Sequence, residues 1–323
     1  KMIGIILTND GKEDLRPITC TEHPSLISMA GRPLLYRQLE ALENSRIDKI
    51  FVVSNYLNDC IAKYIKSINQ DFKTDIELIE ILNDNGLINT EKVIEIINKN
   101  ENIKYIENEP VAVIMGNNLF KFDIDEAIQF HKELSSKVTY VLSESDDISE
   151  DIIVTGSCGK IEGIYTVPNL QGGYSDLSSV GFYIINPEIF ELIFKAKIND
   201  PEKDLLPFLL KNSIPSFGYE AEGYFKKIKS TTDYLNSNWD ILDNTAPFKK
   251  HCIISENGIY SNSQINSGIY PPSYLGNNVI VEKGATIGPY AVINDNILIK
   301  SGSSVKKSII YDNVNIGSLS ELR

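Results

Sequence analysis

Residues 3–33 read IGIILTNDGKEDLRPITCTEHPSLISMAGRP: an apolar run, a polar turn, then a mixed segment. The run Ile3-Gly4-Ile5-Ile6-Leu7 is short, continuous and rich in β-branched residues. That is the pattern of a strand covered on both faces. In open α/β sheets the loop after such a first strand is where ligands bind. A loop that cradles phosphate needs converging backbone N–H groups, hence several glycines and a Lys or Arg. The turn Asn9-Asp10-Gly11-Lys12-Glu13-Asp14 has one glycine, and three acids against one base. Two like charges about 4 Å apart cost about 4 kcal/mol at an effective dielectric of about 20. A triphosphate would meet several such pairs, so on its own chemistry the turn reads as a solvated one.

Outward from this strand, elements alternate. Leu34, Leu35, Leu39 and Leu42 predict a helix over 33–45, and residues 49–54 a second buried strand. A helix over 59–68 carries Ile61, Tyr64, Ile65 and Ile68 on one face, and a strand follows at 75–79. Thr90 is placed to cap a helix through Ile97. A strand over 110–114 ends at Met115-Gly116-Asn117-Asn118, followed by a helix over 125–134 and a strand over 138–142. This alternation predicts a doubly wound, mostly parallel sheet. Further on come a hairpin around Gly159, a strand over 179–185, helices over 187–194, 203–210 and 232–242, and a single strand-like stretch over 219–228. An α/β domain is therefore expected over 1–243, with a linker over 244–252.

From residue 253 the texture changes. Leu275, Val281, Ile287, Ile293, Ile299 and Val305 recur every six residues, after an earlier Ile253, Ile259, Ile265 row. Four residues after the members of the main row come Val279, Ala285, Ala291, Ile297 and Ser303. Strands repeat every two residues and helices near 3.6; a period of six belongs to a parallel β-helix of hexapeptide repeats, here expected over 253–323. An open solenoid end exposes backbone and must be capped or paired. The tail is thus expected to continue past Arg323 or to pair with another subunit.

The net charge of −13 over 323 residues argues against a nucleic-acid partner. Cys20, Cys60, Cys158 and Cys252 are far apart with no C-x-x-C pair, which fits a reduced, cytoplasmic protein. No apolar run is long enough to span a membrane, and no signal peptide is seen. His23, His131 and His251 are too dispersed for a metal cluster and read as surface or capping residues.

With both halves in view, the chain resembles the sugar-1-phosphate nucleotidyltransferases that carry a C-terminal left-handed β-helix, in particular mannose-1-phosphate guanylyltransferase-like and glucose-1-phosphate nucleotidyltransferase-like members. The likeness lies in Leu15-Arg16-Pro17-Ile18-Thr19 and Ala30-Gly31-Arg32-Pro33-Leu34, in Val180-Gly181-Phe182-Tyr183-Ile184-Ile185-Asn186-Pro187-Glu188, and in Glu202-Lys203-Asp204-Leu205-Leu206-Pro207 and Glu222-Gly223-Tyr224-Phe225. The resemblance implies attack of a sugar-phosphate oxygen on the α-phosphorus of an NTP, with Mg²⁺, Arg and Lys neutralising charge. It also implies where those groups should stand. The arginine of the family's G-G-x-G-T-R loop falls on Asp14, and its P-K-P lysine on Pro24. The two metal aspartates fall on Asn117 and Lys227. The L-G-T-A loop becomes Leu87-Ile88-Asn89-Thr90, and E-K-P becomes Thr166-Val167-Pro168.

Scaffold motifs match while the chemistry-bearing positions do not. The expectation is a catalytically inactive nucleotidyltransferase-like protein, without a metal or other cofactor. It would act as a regulatory or assembly subunit in nucleotide-sugar or polysaccharide metabolism. Its partners would be further copies of itself or an active nucleotidyltransferase, with a sugar phosphate or nucleotide as effector. Leu7, Thr8, Asn9, Gly116 and Asn118 are the candidate residues for such a ligand. The alternative is an active Mg²⁺ enzyme with atypical ligands drawn from Asp10, Glu13, Asp123 and Asp125. A hexapeptide acyltransferase would need a histidine within the coils, and His251 lies at their edge.

Overall fold

Continuous runs of Ile and Val become strands whose both faces are covered, and they set the first layer of the protein. A computed structural model describes residues 2–8, 15–81, 109–144, 151–165, 176–198, 203–248, 253–254, 264–265 and 268–323. The turn 9–14, the helix predicted from Thr90, the segments 87–90 and 166–168, His251 and Cys252 lie outside the described residues. The described chain divides into two compact units, residues 1–26 with 38–227 and residues 27–37 with 228–323.

The elements of the first part of the chain are β1 (Met2–Leu7), β2 (Ser28–Met29), β3 (Arg32–Pro33), α1 (Leu34–Leu42), β4 (Ile47–Ser54), α2 (Asn58–Ile68), β5 (Asp75–Glu80), β6 (Val111–Met115) and β7 (Asn118–Phe122). They continue with α3 (Ile124–Glu133), β8 (Val138–Glu144), β9 (Ile152–Thr155), β10 (Ile161–Tyr165), β11 (Leu177–Ile185), α4 (Pro187–Ala196), α5 (Leu205–Lys211), β12 (Ser216–Glu220), β13 (Gly223–Lys227) and α6 (Thr231–Asp243). In the first unit, seven strands form one sheet in the order β12-β8-β11-β6-β1-β4-β5. β1 lies parallel to β4 and β6, β4 to β5, and β8 to β12. Only β11 runs antiparallel, between β6 and β8. The mostly parallel α/β sheet expected from the alternation is present. Every residue of β1 and of β6 is buried, which explains their unbroken apolar sequences.

Two elements differ from the sequence reading. The stretch 219–228 is two strands rather than one: β12 extends the central sheet, while β13 pairs with β7 in a separate ribbon. The chain turns at Ala221-Glu222, and Gly223 then passes so close to the Lys121 carbonyl that a Cβ there would sit 2.4 Å from its oxygen. β7 itself, just after Gly116-Asn117, was not anticipated. Its alternation is masked because Leu119 is buried like Phe120.

The histidines also differ. His23 and His131 are buried, not surface residues. His131 is held by Thr139 Oγ1 at 2.9 Å and Asn186 Oδ1 at 2.9 Å. The Asn186 Nδ2 donates to the Ser136 carbonyl, so its Oδ1 accepts the His131 Nε2–H and Nδ1 accepts from Thr139. Both ring nitrogens are satisfied, which is what makes a buried imidazole tolerable. Burial holds the His131 pKa below its ordinary value.

The second unit gathers the β2–β3 hairpin, α6 and the repetitive tail. In the tail, short strands stack into three sheets with parallel pairing: Leu275 on Ile293 on Ile310, Val281 on Ile299 on Ile316, and Ile287 on Val305 on Leu322. This is the arrangement of a β-helix. The apolar row Leu275, Val281, Ile287, Ile293, Ile299, Val305 is fully buried, and so is the row Val279, Ala285, Ala291, Ile297, Ser303. The last coil is one residue shorter, since Ile293 pairs with Ile310. The six-residue phase breaks there after Val305. Corners are turned by Asn278, Asn296 and Asn313, with φ of 55°, 58° and 62°. Asparagine is one of the few residues that tolerates that left-handed region; between successive coils, Asn278 Nδ2 also donates to Asn296 Oδ1 at 3.1 Å. The strand Ile253–Ile254 runs antiparallel to Ser273-Tyr274, unlike the parallel strands after it.

A polar knot ties this unit together. Tyr234 of α6 donates to the Ser28 carbonyl at 2.8 Å, and the Ala30 N–H donates to Asn238 Oδ1 at 2.7 Å. Ser28 Oγ donates to Asn294 Oδ1 at 3.0 Å. Trp239 Nε1 donates to the Tyr290 carbonyl at 3.4 Å. These bonds join α6 to the hairpin and the coils within the second unit. Arg37, fully buried, donates from Nη2 to the Met29 and Ala30 carbonyls at 3.1 and 3.2 Å, with its guanidinium over the Phe248 ring. Arg37→Met keeps the stem and removes the donors. It should lower the unfolding free energy by about 3 kcal/mol, read as a shifted urea midpoint.

Candidate functional site

The C-terminal ends of β1 and β6 meet at one turn. The Gly116 N–H donates to the Leu7 carbonyl at 2.7 Å. A Cβ on residue 116 would lie 2.5 Å from that oxygen and 2.6 Å from Thr8 Cα, so only glycine allows this approach. Thr8, itself buried, directs both its N–H and its hydroxyl to the Val53 carbonyl, at 3.1 and 2.8 Å. Leu7, Thr8 and Gly116 therefore shape the strand ends with their backbones and offer no free side-chain group. Asn9, predicted with them, is outside the described residues.

After Gly116, the two asparagines divide the work. Asn117 is half-buried at the turn, while Asn118 points inward. Asn118 Nδ2 donates to the Val180 carbonyl at 2.6 Å, and its own carbonyl accepts from Gln38 Nε2 at 2.8 Å. Gln38 also donates to the Met115 carbonyl at 3.0 Å, bracketing the turn from both sides. The Oδ1 of Asn118 and the Oε1 of Gln38 are buried without a donor. Sequence reading missed Gln38, although a polar residue between Leu35 and Leu42 on the apolar face of α1 was a usable signal.

The β7–β13 pairing sets Lys227 directly opposite Asn118. Side chains of directly paired residues share a face of the ribbon. Lys227 thus stands on the same face as Asn118, across the ribbon from the residue that follows the Gly116-Asn117 turn. The rest of that face is aromatic: Phe120, Phe122 and Phe225, with Phe182 edge-on to Phe122 at 5.2 Å. The residues at the family's metal positions do not fit a divalent cation. Asn117 offers a neutral amide, and Lys227 an ammonium that repels one. Among the described residues no group of three or more His, Cys, Asp or Glu is placed to hold a metal.

The other candidates are engaged elsewhere. Asp123 caps α3, accepting from the N–H groups of Asp125 and Glu126 at 3.0 and 3.2 Å. Asp125 accepts from the Arg46 N–H at 2.8 Å. Pro24 is buried in a short 3-10 turn, Pro24–Leu26, and brings no charge where the family has its lysine. Beside it, His23 Nδ1 accepts the Ser25 N–H at 3.0 Å, which leaves the proton on Nε2, facing Ser54 Oγ at 3.4 Å.

An open α/β sheet with a glycine turn and a ribbon at its strand ends, followed by a β-helix, defines an α/β protein of a class in which ligands generally bind at the carboxyl edge of the sheet. The nucleotidyl transferase family profile matches residues 3–244, and the chain belongs to that family. It is similar to mannose-1-phosphate guanyltransferase of Saccharomyces cerevisiae, 24% identical over 273 residues that cover 82% of this chain and 72% of the relative. It is also similar to mannose-1-phosphate guanylyltransferase 1 of Arabidopsis thaliana, at 23% over 95% of this chain and 79% of that one. The UTP–glucose-1-phosphate uridylyltransferase of Synechocystis sp. is 23% identical over 98% of this chain and 84% of its own length. A solved structure from Bacillus anthracis, assigned to glucose-1-phosphate thymidylyltransferase, shares the fold with a TM-score of 0.60 at 19% identity, covering 74% of this chain and 94% of its own. Among the described residues no helix is long and apolar enough to cross a membrane.

Burial pushes the His23 pKa down from 6.5 to about 4. The folded protein therefore holds the ring neutral while the unfolded chain binds a proton. The stabilisation is fully present above about pH 6.5 and is lost as pH falls toward 4, by about 3 kcal/mol for a shift of this size. His23→Asn should flatten that part of the stability–pH curve measured by urea unfolding.

Proposed function

We propose that this chain is a catalytically silent member of its family, working as a regulatory or assembly subunit in nucleotide-sugar or polysaccharide metabolism. The observation that carries the reading is the pairing of Lys227 with Asn118, beside Asn117. Phosphoryl and nucleotidyl transfer consists mostly of positioning and charge neutralisation by metal ions and basic side chains. At this turn the two carboxylates that would hold the metal are an amide and an ammonium. Asp14 and Pro24, at the family's arginine and lysine positions, add to the deficit on the phosphate side. The matching relatives are named as active transferases, and fold alone does not carry their activity to this chain. In this reading the α/β unit keeps its scaffold and the β-helix serves assembly, with further copies of the chain or with an active nucleotidyltransferase.

The test is pyrophosphorolysis by the purified chain with Mg²⁺ or Mn²⁺ and a panel of NDP-sugars that includes GDP-mannose and UDP-glucose. The expected rate equals that of a control without protein. Turnover clearly above that control overturns the reading in favour of an active transferase with other ligands.

A further inference from the structure

One corner of the coils carries an exposed aromatic and proline surface. Successive coils bring Tyr270-Pro271-Pro272, Gly288-Pro289-Tyr290 and Lys306-Lys307 to it, between the stacked rows Ile269, Ile287, Val305 and Ser273, Ala291, Ser308. The Tyr290 N–H donates to the Pro272 carbonyl at 2.7 Å, and the Lys307 N–H to the Pro289 carbonyl at 3.1 Å. Tyr270 is 54% exposed, and Pro271 and Pro289 are exposed beside it. Trp239 of α6, half-buried, stands edge-on to Tyr290 with ring centroids 6.1 Å apart. Tyrosine and tryptophan concentrate at the centres of protein interfaces, where they dominate the binding energy.

The flanks of this surface are oppositely charged. On the α6 side the exposed Asp243 accepts the Tyr290 hydroxyl, 3.1 Å from each carboxylate oxygen. On the next coil the exposed Lys307 makes no ion pair among the described residues. A surface with an acid on one flank and a base on the other is complementary to itself: a two-fold rotation sets each copy's lysine against the other's aspartate. The wider charge distribution agrees. Of 44 acids and 31 bases in the chain, residues 268–323 hold four and five. The excess negative charge that keeps two copies apart therefore lies outside the coils.

We propose that this corner is the face through which two copies of the chain pair about a two-fold axis. Tyr270, Pro271, Pro289 and Trp239 supply its centre, and Asp243 of each copy faces Lys307 of the other. The pairing rests on the proposed assembly role of the β-helix, to which it gives a partner and a surface, and it does not depend on catalytic silence.

The experiment is sedimentation velocity of the full chain from about 0.1 to about 100 µM, in low salt and again at about 0.5 M salt. The expected result is a monomer–dimer equilibrium whose Kd rises severalfold in salt. Tyr270→Ser should raise Kd about tenfold or more. Asp243→Lys and Lys307→Glu should each do the same when studied alone, because both contacts of the pair then bring like charges together. An equimolar mixture of those two variants should dimerise as the parent does, because both contacts are again of opposite charge. A chain that stays monomeric, open-ended growth past the dimer, a Kd indifferent to salt, variants that dimerise as the parent does, or a mixture no tighter than its components would each overturn the proposal. The concentration and salt series use the unaltered chain and so stand even if a variant fails to fold. An assembly that ignores these variants overturns this surface and leaves the assembly role standing. Turnover in the pyrophosphorolysis assay overturns only the silent reading.

Discussion

The hydrogen bond from the Gly116 N–H to the Leu7 carbonyl is the contact on which the site depends. It brings the end of β6 against the end of β1 at a distance that excludes a Cβ. Once that turn is held, Asn117 must sit at the carboxyl edge of the sheet. Asn118 must enter the interior, where Val180 and Gln38 receive it. Because β7 starts at Asn118, its pairing with β13 then delivers Lys227 to the same place. A structural glycine, two asparagines and a lysine far along the chain are thus linked by strand pairing together with the side-chain amides of Asn118 and Gln38.

The two units are held by different forces. The central sheet relies on buried aliphatic rows from β1, β4, β6, β8 and β11, where the transfer of apolar area from water dominates. The second unit has a similar apolar column inside its coils. Its remaining elements join through polar contacts: Arg37 to the hairpin carbonyls, Tyr234 to Ser28, and Asn238 to Ala30. Such bonds add little when made but are costly to leave unmade in a buried setting. The hairpin, α6 and the coils consequently have few alternative arrangements. That is a suitable property for a tail whose proposed role is assembly.

Much of the fold was legible because hydrophobic periodicity is a local signal. The buried runs of β1, β4 and β6, the amphipathic α2 and the six-residue row from Leu275 to Val305 stand where their patterns place them, while the earlier Ile253, Ile259, Ile265 row lies outside the residues whose burial is described. Other features have no local signal. β7 has buried residues on both faces, so its alternation is hidden. Residues 219–228 look like one strand because the turn at Ala221-Glu222 is short and lacks strong turn chemistry. His23 and His131 are buried by partners such as Ser54 and Asn186 that lie distant in sequence. Of the candidate site residues, Leu7, Thr8 and Gly116 are at the strand ends as expected. The hydrogen bonds they make there, to Val53 and Leu7, are not encoded in any sequence pattern.

The amino-acid sequence by itself determined the order of elements, the β-helix period and the identity of the residues at the family's chemical positions, because each is set by neighbours within a few residues. It also determined that two of those positions carry an amide and an ammonium. Only the tertiary structure decided that Lys227 pairs with Asn118, that Asn118 is buried and Asn117 half-buried, and that α6 groups with the coils. These depend on strand register and on hydrogen bonds between residues far apart in the chain. A one-residue slip in the β7–β13 pairing would carry Lys227 to the other face of the ribbon.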